Sequence, residues 1–285
     1  MAATLDRRFT PARADLAAES LRGVVAAGRY AAPRLMRIAE EWVPLSREPA
    51  RDQPIDTQAL FGEAVDVYDI DDEGWAWGQL RRDGYVGYLP AEGLRAERAA
   101  PTHRVRVPRT FAYPGPNLKL PPLMALPLGA EAAVKDWRGD YAVIESLGFV
   151  WGPHLARLDE QESDFAAVAE WFLHVPYLWG GKTFSGVDCS GLVQVALAAC
   201  GVAAPRDSDV AEQSLGAPLA IGEDLAGLRR GDLVFWKGHM GVMRDAAELL
   251  HANGHHMMTA SEPLRVARDR VLAKGAGPIT SIRRL

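Results

Sequence analysis

The stretch GVDCSGLVQV, residues 186–195, places Cys189 where a loop changes into a helix, and fifty residues after that cysteine comes His239 in GHMGV, residues 238–242. A thiol in the first turn of a helix faces unpaired backbone N–H groups and the positive end of the helix dipole. Both favour the thiolate over the thiol. We therefore predict that Cys189 is a nucleophile and that His239 lies beside it as its base.

The composition is that of a folded globular protein. The 285 residues are 48% hydrophobic and 24% charged, with a net charge of −5. This length fits two or three domains, each with its own core. No run of basic residues offers a footprint for a polyanion, and no stretch reaches the roughly 18 apolar residues of a membrane span. We expect neither a nucleic-acid partner nor a membrane partner, and we expect a monomer.

The N-terminus and the cysteines indicate the compartment. Residues 1–20 carry charged side chains throughout, so no signal peptide can be drawn, and we predict a cytoplasmic protein. The two cysteines are Cys189 and Cys200. A helix between them would hold them about 16 Å apart, too far for a disulfide. Cys200, at an apolar helix end, is interpreted as a packed hydrophobic residue.

Two segments in the first half share a pattern of short alternating strands. Residues 60–94 and 126–155 each place apolar and polar residues in alternation between Asp and Gly turns, with a Gly-aromatic-Val run near the end. Such spacing is typical of small antiparallel barrels. We predict two all-β barrels that resemble bacterial SH3-like domains, at residues 31–100 and 101–160. A helical segment is predicted ahead of them, at residues 1–30.

The pattern changes at Asp164. Apolar residues recur at helical spacing from there until Pro176, and the Cys189 helix follows. Beyond that helix, residues 232–236, 239–243 and 249–253 read as three short strands of an antiparallel sheet. A helix packed on a sheet is an α+β arrangement. The predicted fold is therefore an α+β domain at residues 161–285 that follows two all-β barrels.

A base needs a third group that fixes its ring and tautomer. His251 follows His239 by twelve residues and stands at a corresponding place on the neighbouring predicted strand. Strands about 4.8 Å apart would let the two rings touch. His255 and His256 come after a predicted hairpin turn and are interpreted as loop residues. A metal site of the last three histidines is set aside, because no cysteine or carboxylate at ligand spacing joins them. No metal and no cofactor is predicted.

Four ordered sequence blocks carry a resemblance to a known family. The blocks are PYLWGG at 176–181, DCSGLV at 188–193, RGDLVF at 230–235 and GHMGV at 238–242. In order and spacing they resemble the NlpC-type cell-wall cysteine peptidases. The resemblance implies a papain-like core in which Cys189 attacks, His239 is the base and His251 orients it. It also implies that the Tyr177 hydroxyl lies near the oxyanion, where a preorganised donor is worth about 3 kcal/mol.

The two barrels ahead of this domain resemble one branch of the family, the γ-D-glutamyl-L-diamino acid endopeptidases. In that branch an Arg-Asp-Ser motif holds the ammonium group of the substrate. The motif matches residues 206–208 here and implies Asp207 and Ser208 as substrate-binding residues. Asp188 and Ser190, which flank the nucleophile, are assigned to the same pocket.

The branch also implies that the first SH3-like barrel closes the pocket with a glutamate and a tyrosine. The matching positions are Glu63 and Tyr85. The usual Gly-Tyr-Pro-Gly-Trp run of the family reads GYVGY at residues 84–88, so Tyr88 competes with Tyr85 for this role. A pocket of this kind would accept only two residues before the scissile bond.

The expected activity is hydrolysis of the γ-D-Glu to diamino-acid bond in short murein peptides with a free N-terminal L-Ala, during peptidoglycan turnover. The sequence leaves diaminopimelate and lysine open at the third position. A wall-peptide binding protein with a vestigial catalytic domain is an alternative, which the intact Cys189, His239 and His251 disfavour. A papain-like amidase or acyltransferase is another, and Asp207 argues against it because an acyl chain has no ammonium group to bind.

Overall fold

The computed structural model describes residues 5–96, 99–220 and 222–285. Its contacts divide the chain into two compact units, Met1–Leu158 and Asp159–Leu285. This division lies two residues from the predicted boundary at 160/161. Positions 1–4 and 97–98 of the predicted segments 1–30 and 31–100 lie outside the described residues. Within the described ranges, no helix has the length and apolar character required to cross a lipid bilayer.

Residues 5–30 contain no α-helix, so the prediction of a helical N-terminal segment is wrong. The segment contains strands β1 (Leu16–Ala18) and β2 (Arg29–Ala31), which pair in parallel, with a short 3-10 turn at Glu19–Leu21. All of β1 is buried, and the Arg13 guanidinium just before it lies 4.8 Å from the centre of the Trp77 ring. Contacts within the first unit therefore outweigh a weak helical pattern.

The first predicted barrel is present as an antiparallel β structure. Its strands are β3 (Arg34–Ile38), β4 (Trp42–Leu45), β5 (Thr57–Leu60), β6 (Ala64–Ile70), β7 (Trp75–Leu80), β8 (Val86–Pro90) and β9 (Leu94–Ala96). A five-stranded sheet has the order β8-β7-β6-β3-β9, and β4 pairs with β5. Ile38, Leu45 and Leu89 belong to one core that these strands enclose.

The second barrel repeats this design. Its strands are β10 (His103–Val105), β11 (Arg109–Tyr113), β12 (Met124–Pro127), β13 (Glu131–Ala132), β14 (Val134–Arg138), β15 (Tyr141–Ile144), β16 (Gly148–Trp151) and β17 (Leu155–Arg157). They form two sheets, β12-β11-β16-β15-β14 and β13-β10-β17. Ala112, Leu126 and Val150 lie in its core. The prediction of two small all-β barrels is confirmed.

Phe61 joins the two barrels. It follows β5 of the first barrel, yet it lies in the core of the second, together with Val105 and Ile144. The Glu131 N–H donates to the Phe61 carbonyl oxygen at 2.9 Å. Gly62 has φ +78°, and a Cβ there would lie 1.9 Å from the Glu131 carbonyl oxygen. This close approach requires glycine.

The second unit is an α+β domain, as predicted. Its helices are α1 (Phe165–Glu170), α2 (Cys189–Ala199), α3 (Ser208–Ser214) and α4 (Leu264–Ala273). Its strands are β18 (Lys182–Thr183), β19 (Gly186–Val187), β20 (Ala217–Pro218), β21 (Leu233–Trp236), β22 (His239–Met243), β23 (Glu248–Asn253), β24 (Met258–Pro263) and β25 (Ser281–Arg284). The main sheet has the order β20-β25-β21-β22-β23-β24. Helix α2 packs against β22 and β23.

The helix predicted from Asp164 to Pro176 is shorter than expected. Asp164 caps α1 by accepting the N–H groups of Ala166 and Ala167, but the helix ends at Glu170. His174 has φ +69°, a left-handed backbone conformation that no helix continues through. The chain therefore turns several residues before the proline that was expected to stop it.

The junction between the barrels gives a stability prediction. Gly62→Ala places a methyl group against the Glu131 carbonyl, whereas Gly74 has a similar φ of +86° and nothing within 4 Å of its Cβ position. Both substitutions place alanine at a similar positive φ, so the difference between their losses of unfolding free energy measures the clash with the Glu131 carbonyl oxygen. We expect Gly62→Ala to lower the free energy of unfolding by about 2 kcal/mol more than Gly74→Ala. Urea unfolding of the two variants measures this, and equal losses would contradict it.

Candidate active site

Cys189 is the first residue of α2, and its position is set by the helix cap. Asp188 is the N-cap residue, and its Oδ1 accepts the Gly191 N–H at 2.7 Å. Its Oδ2 accepts the Gly180 N–H at 2.9 Å. A Cβ on Gly191 would lie 2.1 Å from the Gly181 carbonyl oxygen, so the PYLWGG segment passes directly against the helix. The cap and the glycine together fix where α2 begins.

A buried ion pair holds this cap in place. Arg206 is 1% exposed and donates to Asp188 Oδ1 at 2.9 Å and Oδ2 at 2.6 Å. It also donates to the Ser190 hydroxyl oxygen at 2.8 Å. Burial alone would lower the pKa of Arg206, but Asp188 outweighs burial and holds that pKa above its usual value. Asp188 and Ser190 thus bind Arg206, and their direct contact with a substrate stays a prediction.

The surroundings of Cys189 keep its thiol protonated at rest. Burial raises the pKa of Cys189 to about 12, and the adjacent Asp188 carboxylate acts in the same direction. The backbone N–H groups of Met240 and Ser190 act against this rise but are weaker. Desolvation of the charged sulfur thus opposes the thiolate that the helix terminus favours, and it exceeds the effect of that terminus. The interaction with the Met240 N–H sets the sulfur beside β22, one residue from His239.

His239 and His251 touch across neighbouring strands, as their register predicts. Nε2 of His239 lies 2.8 Å from Nδ1 of His251, and the ring centroids are 5.1 Å apart. A Cβ on Gly241 would lie 2.9 Å from the His251 Cβ, so this glycine permits the approach. Burial lowers the pKa of His239 to about 3, and His251 adds to that effect. Cys189 and His239 are therefore both neutral near pH 7.

Sequence reasoning missed two residues next to this pair. Nε2 of His251 lies 2.8 Å from Oε1 of Glu262 on β24, and Arg270 on α4 donates to both oxygens of that carboxylate. Burial alone would raise the pKa of Glu262, but hydrogen bonds from Arg270 and His251 hold it well below its usual range. Strand alternation could have placed Glu262 on the face of His251. No motif marks Arg270.

The same carboxylate bears on the metal question. His251, His256 and Glu262 offer ligand atoms within 4.8 Å of one another. The expectation that no carboxylate joins the histidines is therefore wrong. The lone pairs a metal would need already face hydrogen-bond partners, since His251 contacts His239 and Glu262 while Arg270 covers the carboxylate. We assign these residues to hydrogen bonding, and the predicted lack of a metal stays a prediction.

Tyr177 lies near the nucleophile. Burial raises the pKa of its phenol, and an ionised Cys189 or Asp188 would raise it further. The Tyr177 backbone forms a parallel bridge with Val187, two residues before Cys189, so this segment runs beside the start of α2. The Tyr177 N–H donates to the Met257 carbonyl oxygen at 2.9 Å, which ties this segment to the turn before β24. A role of the hydroxyl at an oxyanion stays a prediction.

The predicted ammonium-binding residues stand at the start of α3. Asp207 is the N-cap residue, although its side chain makes no capping hydrogen bond, and Ser208 is the first helical residue. Both follow Arg206, whose ion pair with Asp188 ties this turn to the N-terminus of α2. Their contacts with a substrate stay predictions.

Glu63 and Tyr85 lie in the first unit, where both are buried. The Glu63 carboxylate accepts the Leu60 N–H at 2.8 Å and lies 3.3 Å from Nε of Arg82. Tyr85 belongs to the core of the first barrel, with its ring edge-on to Phe9 at 5.6 Å. Tyr88, its competitor, is half-buried and accepts a hydrogen bond from Arg13. The assignment of these residues to a substrate pocket stays a prediction.

Comparison with known proteins identifies the family. Residues 174–273 match the model of the NlpC/P60 family, and residues 45–94 match that of the bacterial dipeptidyl-peptidase Sh3 domain. A gamma-D-glutamyl-L-lysine dipeptidyl-peptidase of Bacillus subtilis (strain 168) is 31% identical over 232 residues, which cover 70% of this chain and 73% of that protein. The chain belongs to the NlpC/P60 family.

Two further relatives agree with this assignment. A gamma-D-glutamyl-L-lysine dipeptidyl-peptidase of Bacillus cereus (strain ATCC 10987 / NRS 248) is 27% identical over 220 residues, covering 66% of this chain and 61% of that protein. The crystal structure of an NlpC/P60 family protein from Bacillus cereus ATCC 10987 has a TM-score of 0.72 at 17% identity. The match covers 88% of this chain and 99% of the Bacillus cereus chain, and this similarity supports the fold. The matched NlpC/P60 range contains Cys189, His239 and His251.

The ion pair at the cap of the NlpC/P60 domain gives a second stability prediction. Arg206→Met leaves the Asp188 carboxylate buried without its main partner, which typically costs about 3–5 kcal/mol. Arg229→Met makes the same chemical change at an exposed position of the same unit and should cost less than about 0.5 kcal/mol. Urea unfolding compares the two, and similar losses would show that the pair does not hold the cap.

The lowered pKa of the half-buried His239 predicts how stability depends on pH. The folded pKa of His239 is about 3, whereas an unfolded histidine titrates near pH 6.5. The unfolded chain therefore binds a proton between these values and the folded chain does not, so stability falls as the pH drops below about 6.5. His239→Gln lacks this group. We expect the wild type to lose at least about 1 kcal/mol more than the variant between pH 7 and pH 5. Parallel curves in urea unfolding would contradict the burial of a neutral imidazole.

Proposed function

We propose that this protein is a cysteine peptidase that hydrolyses the bond between γ-D-glutamate and an L-diamino acid in short murein peptides. The observation that carries the proposal is the His239–His251 pair beside the strand residue that contacts the Cys189 sulfur. The names of the two Bacillus relatives support the bond that is cleaved. The proposed setting is peptidoglycan turnover in the cytoplasm.

The first half of the reaction forms a thioester. The sulfur of Cys189 attacks the γ-carbonyl carbon of D-glutamate while its proton passes to His239. Because both groups are neutral at rest, the transfer accompanies the attack rather than preceding it. The Tyr177 hydroxyl donates to the oxygen that becomes negative. The tetrahedral intermediate then collapses, and His239 gives its proton to the departing amine of the diamino acid.

The second half releases the enzyme. Water enters, His239 removes one of its protons, and the resulting oxygen attacks the thioester carbonyl. Collapse of this second intermediate breaks the carbon–sulfur bond and frees the dipeptide with its γ-carboxyl group, while Cys189 regains a proton from His239. No oxidant, reductant or cofactor enters this balance.

Recognition of the free amine is assigned to Asp207. An ammonium group at the N-terminal L-alanine would pair with its carboxylate, and Ser208 offers a neighbouring hydroxyl. Hydrogen bonds to charged groups typically contribute about 1.5–3 kcal/mol, which corresponds to roughly 10- to 100-fold in binding. An amidase or acyltransferase that acts on an acyl chain would not need this carboxylate, so the amine requirement separates that alternative from the peptidase.

The test uses purified full-length protein with L-Ala-γ-D-Glu-L-Lys, its diaminopimelate counterpart and the N-acetylated form of each. We expect release of L-Ala-D-Glu from the free-amine peptides, detected by mass spectrometry, and little from the acetylated ones. Cys189→Ala should abolish the reaction, whereas Cys200→Ala should retain it. Asp207→Asn should raise KM for the free-amine peptide about 10-fold or more, and Asp209→Asn, on the same helix, should not.

The outcomes separate the parts of the proposal. Equal cleavage of free and acetylated peptides would keep the peptidase and remove the amine recognition. Activity that survives Cys189→Ala would remove the nucleophile. If none of the peptides is cleaved, binding of the intact peptides measured by calorimetry would favour the wall-peptide binding protein, and an absence of binding would favour the amidase or acyltransferase.

A further inference from the structure

Three side chains on three successive strands form a continuous line of hydrogen bonds. His239 lies on β22, His251 on β23 and Glu262 on β24, and these strands are neighbours in the sheet. His251 pairs in register with Ala260, two residues from Glu262, so both side chains lie on one face of the sheet. The two contacts, His239 to His251 and His251 to Glu262, are each 2.8 Å long.

The outer end of this line is anchored by a cation. Arg270 donates from Nη1 to Oε2 of Glu262 at 2.5 Å, and its Nη2 donates to Oε1. Two parallel contacts of a guanidinium with a carboxylate restrict both rotation and displacement of that carboxylate. His251 is 1% exposed and Glu262 is 9% exposed, so water does not compete strongly for these contacts.

The carboxylate determines where the protons lie. An ionised carboxylate only accepts hydrogen bonds, so Nε2 of His251 must carry its proton toward Glu262. A neutral imidazole has one N–H, so Nδ1 of His251 is an acceptor. Nε2 of His239, which faces that acceptor, must therefore be the donor. The lone pair of His239 is then left on Nδ1, the nitrogen that does not face His251.

We propose that Glu262 is a positioning residue, anchored by Arg270, that sets the tautomers of His251 and His239 in a relay running from Glu262 through His251 to His239. This inference rests on the proposed cysteine-peptidase function and extends it by two residues. A neutral histidine in third place orients a base only if its own ring and tautomer are fixed. Glu262 fixes both, one residue further out.

The electrostatic effect of Glu262 is strongest at His251. When the thiol proton reaches His239, a positive charge appears in a buried site, where an unbalanced charge is strongly disfavoured. The Glu262 carboxylate favours protonation of both His239 and His251, whereas Arg270 opposes it. At His251 the effect of the directly hydrogen-bonded Glu262 carboxylate exceeds that of Arg270, whereas at His239 the effect of Arg270 is the larger of the two. Glu262 therefore acts on His239 through the orientation and tautomer of His251.

A direct measurement of the tautomers tests the proposal. Long-range nitrogen–proton correlation spectra of ¹⁵N-labelled wild-type protein at pH 7, with signals assigned from single His→Gln variants, distinguish the Nδ1–H and Nε2–H forms. We expect Nε2–H for both His251 and His239. An Nδ1–H form at either residue would overturn the proposal, whether or not the protein cleaves any peptide.

Variants test the consequence for catalysis. In Glu262→Gln the side-chain amide can donate or accept, so the tautomer of His251 is no longer fixed. We expect the Nδ1–H signal of His251 to appear. We also expect kcat to fall about 10-fold or more with KM within about twofold, because removing a residue that orients a functional histidine typically lowers activity by this much. Glu262→Asp keeps the charge and should recover part of kcat.

The matched control is Glu248→Gln, on β23 of the same sheet. Its carboxylate accepts a hydrogen bond from Ser261 and takes no part in the relay, so kcat and the histidine signals should not change. An unchanged kcat in Glu262→Gln, on a peptide that the wild type cleaves, would overturn the relay and keep the proposed function. A wild type that cleaves no peptide would overturn the proposed function, and the tautomer spectra would still decide the geometry.

Discussion

The buried carboxylate of Asp188 is the group on which the second unit depends. It caps α2, accepts the Gly180 N–H from the preceding loop and pairs with Arg206 from the segment that follows the helix. Three parts of the chain thus converge on two oxygen atoms. Cys189 is the next residue, so its thiol can lie only where this convergence puts it. The same negative charge disfavours the thiolate. The group that places the sulfur therefore also lowers its reactivity in the resting protein.

In the proposed reaction, the arrangement around His239 resolves this conflict between the placement and the reactivity of the sulfur. A site that held a permanent thiolate–imidazolium pair would need to solvate two charges inside the protein, at a considerable desolvation cost. In the proposed mechanism the resting groups are neutral, and charge separation arises only when the substrate is attacked. Glu262 and Arg270 remain charged throughout. Their ion pair therefore holds the hydrogen bonds of His251 in place before the transient charges form.

The sequence was sufficient for the parts of the site that depend on short-range patterns. The Asp188–Cys189 helix start and the His239 and His251 strands follow from capping, glycine placement and alternation, which act over a few residues. Alternation along β24 could have placed Glu262 on the face of His251, but Arg270 could not be found this way, because it belongs to a helix that the motifs do not reach. The raised pKa of Cys189 depends on burial by atoms from distant parts of the chain, which a short sequence pattern cannot predict. The helix predicted for the N-terminal segment was wrong for a similar reason, because the pairing of β1 with β2 joins residues more than ten positions apart.

Phe61 has a consequence for how the first half of the chain can change. Its backbone belongs to one barrel and its ring to the core of the other, so the two barrels are joined by a shared core residue as well as by the connecting chain. A recombination event that moved residues 31–100 alone would leave a cavity in the core of the second barrel. The protein that received the first barrel would carry an exposed Phe61 ring. Transfer of the two barrels together would keep both cores complete, and a change of side-chain size at position 61 would need a compensating change among the aliphatic core residues of the second barrel.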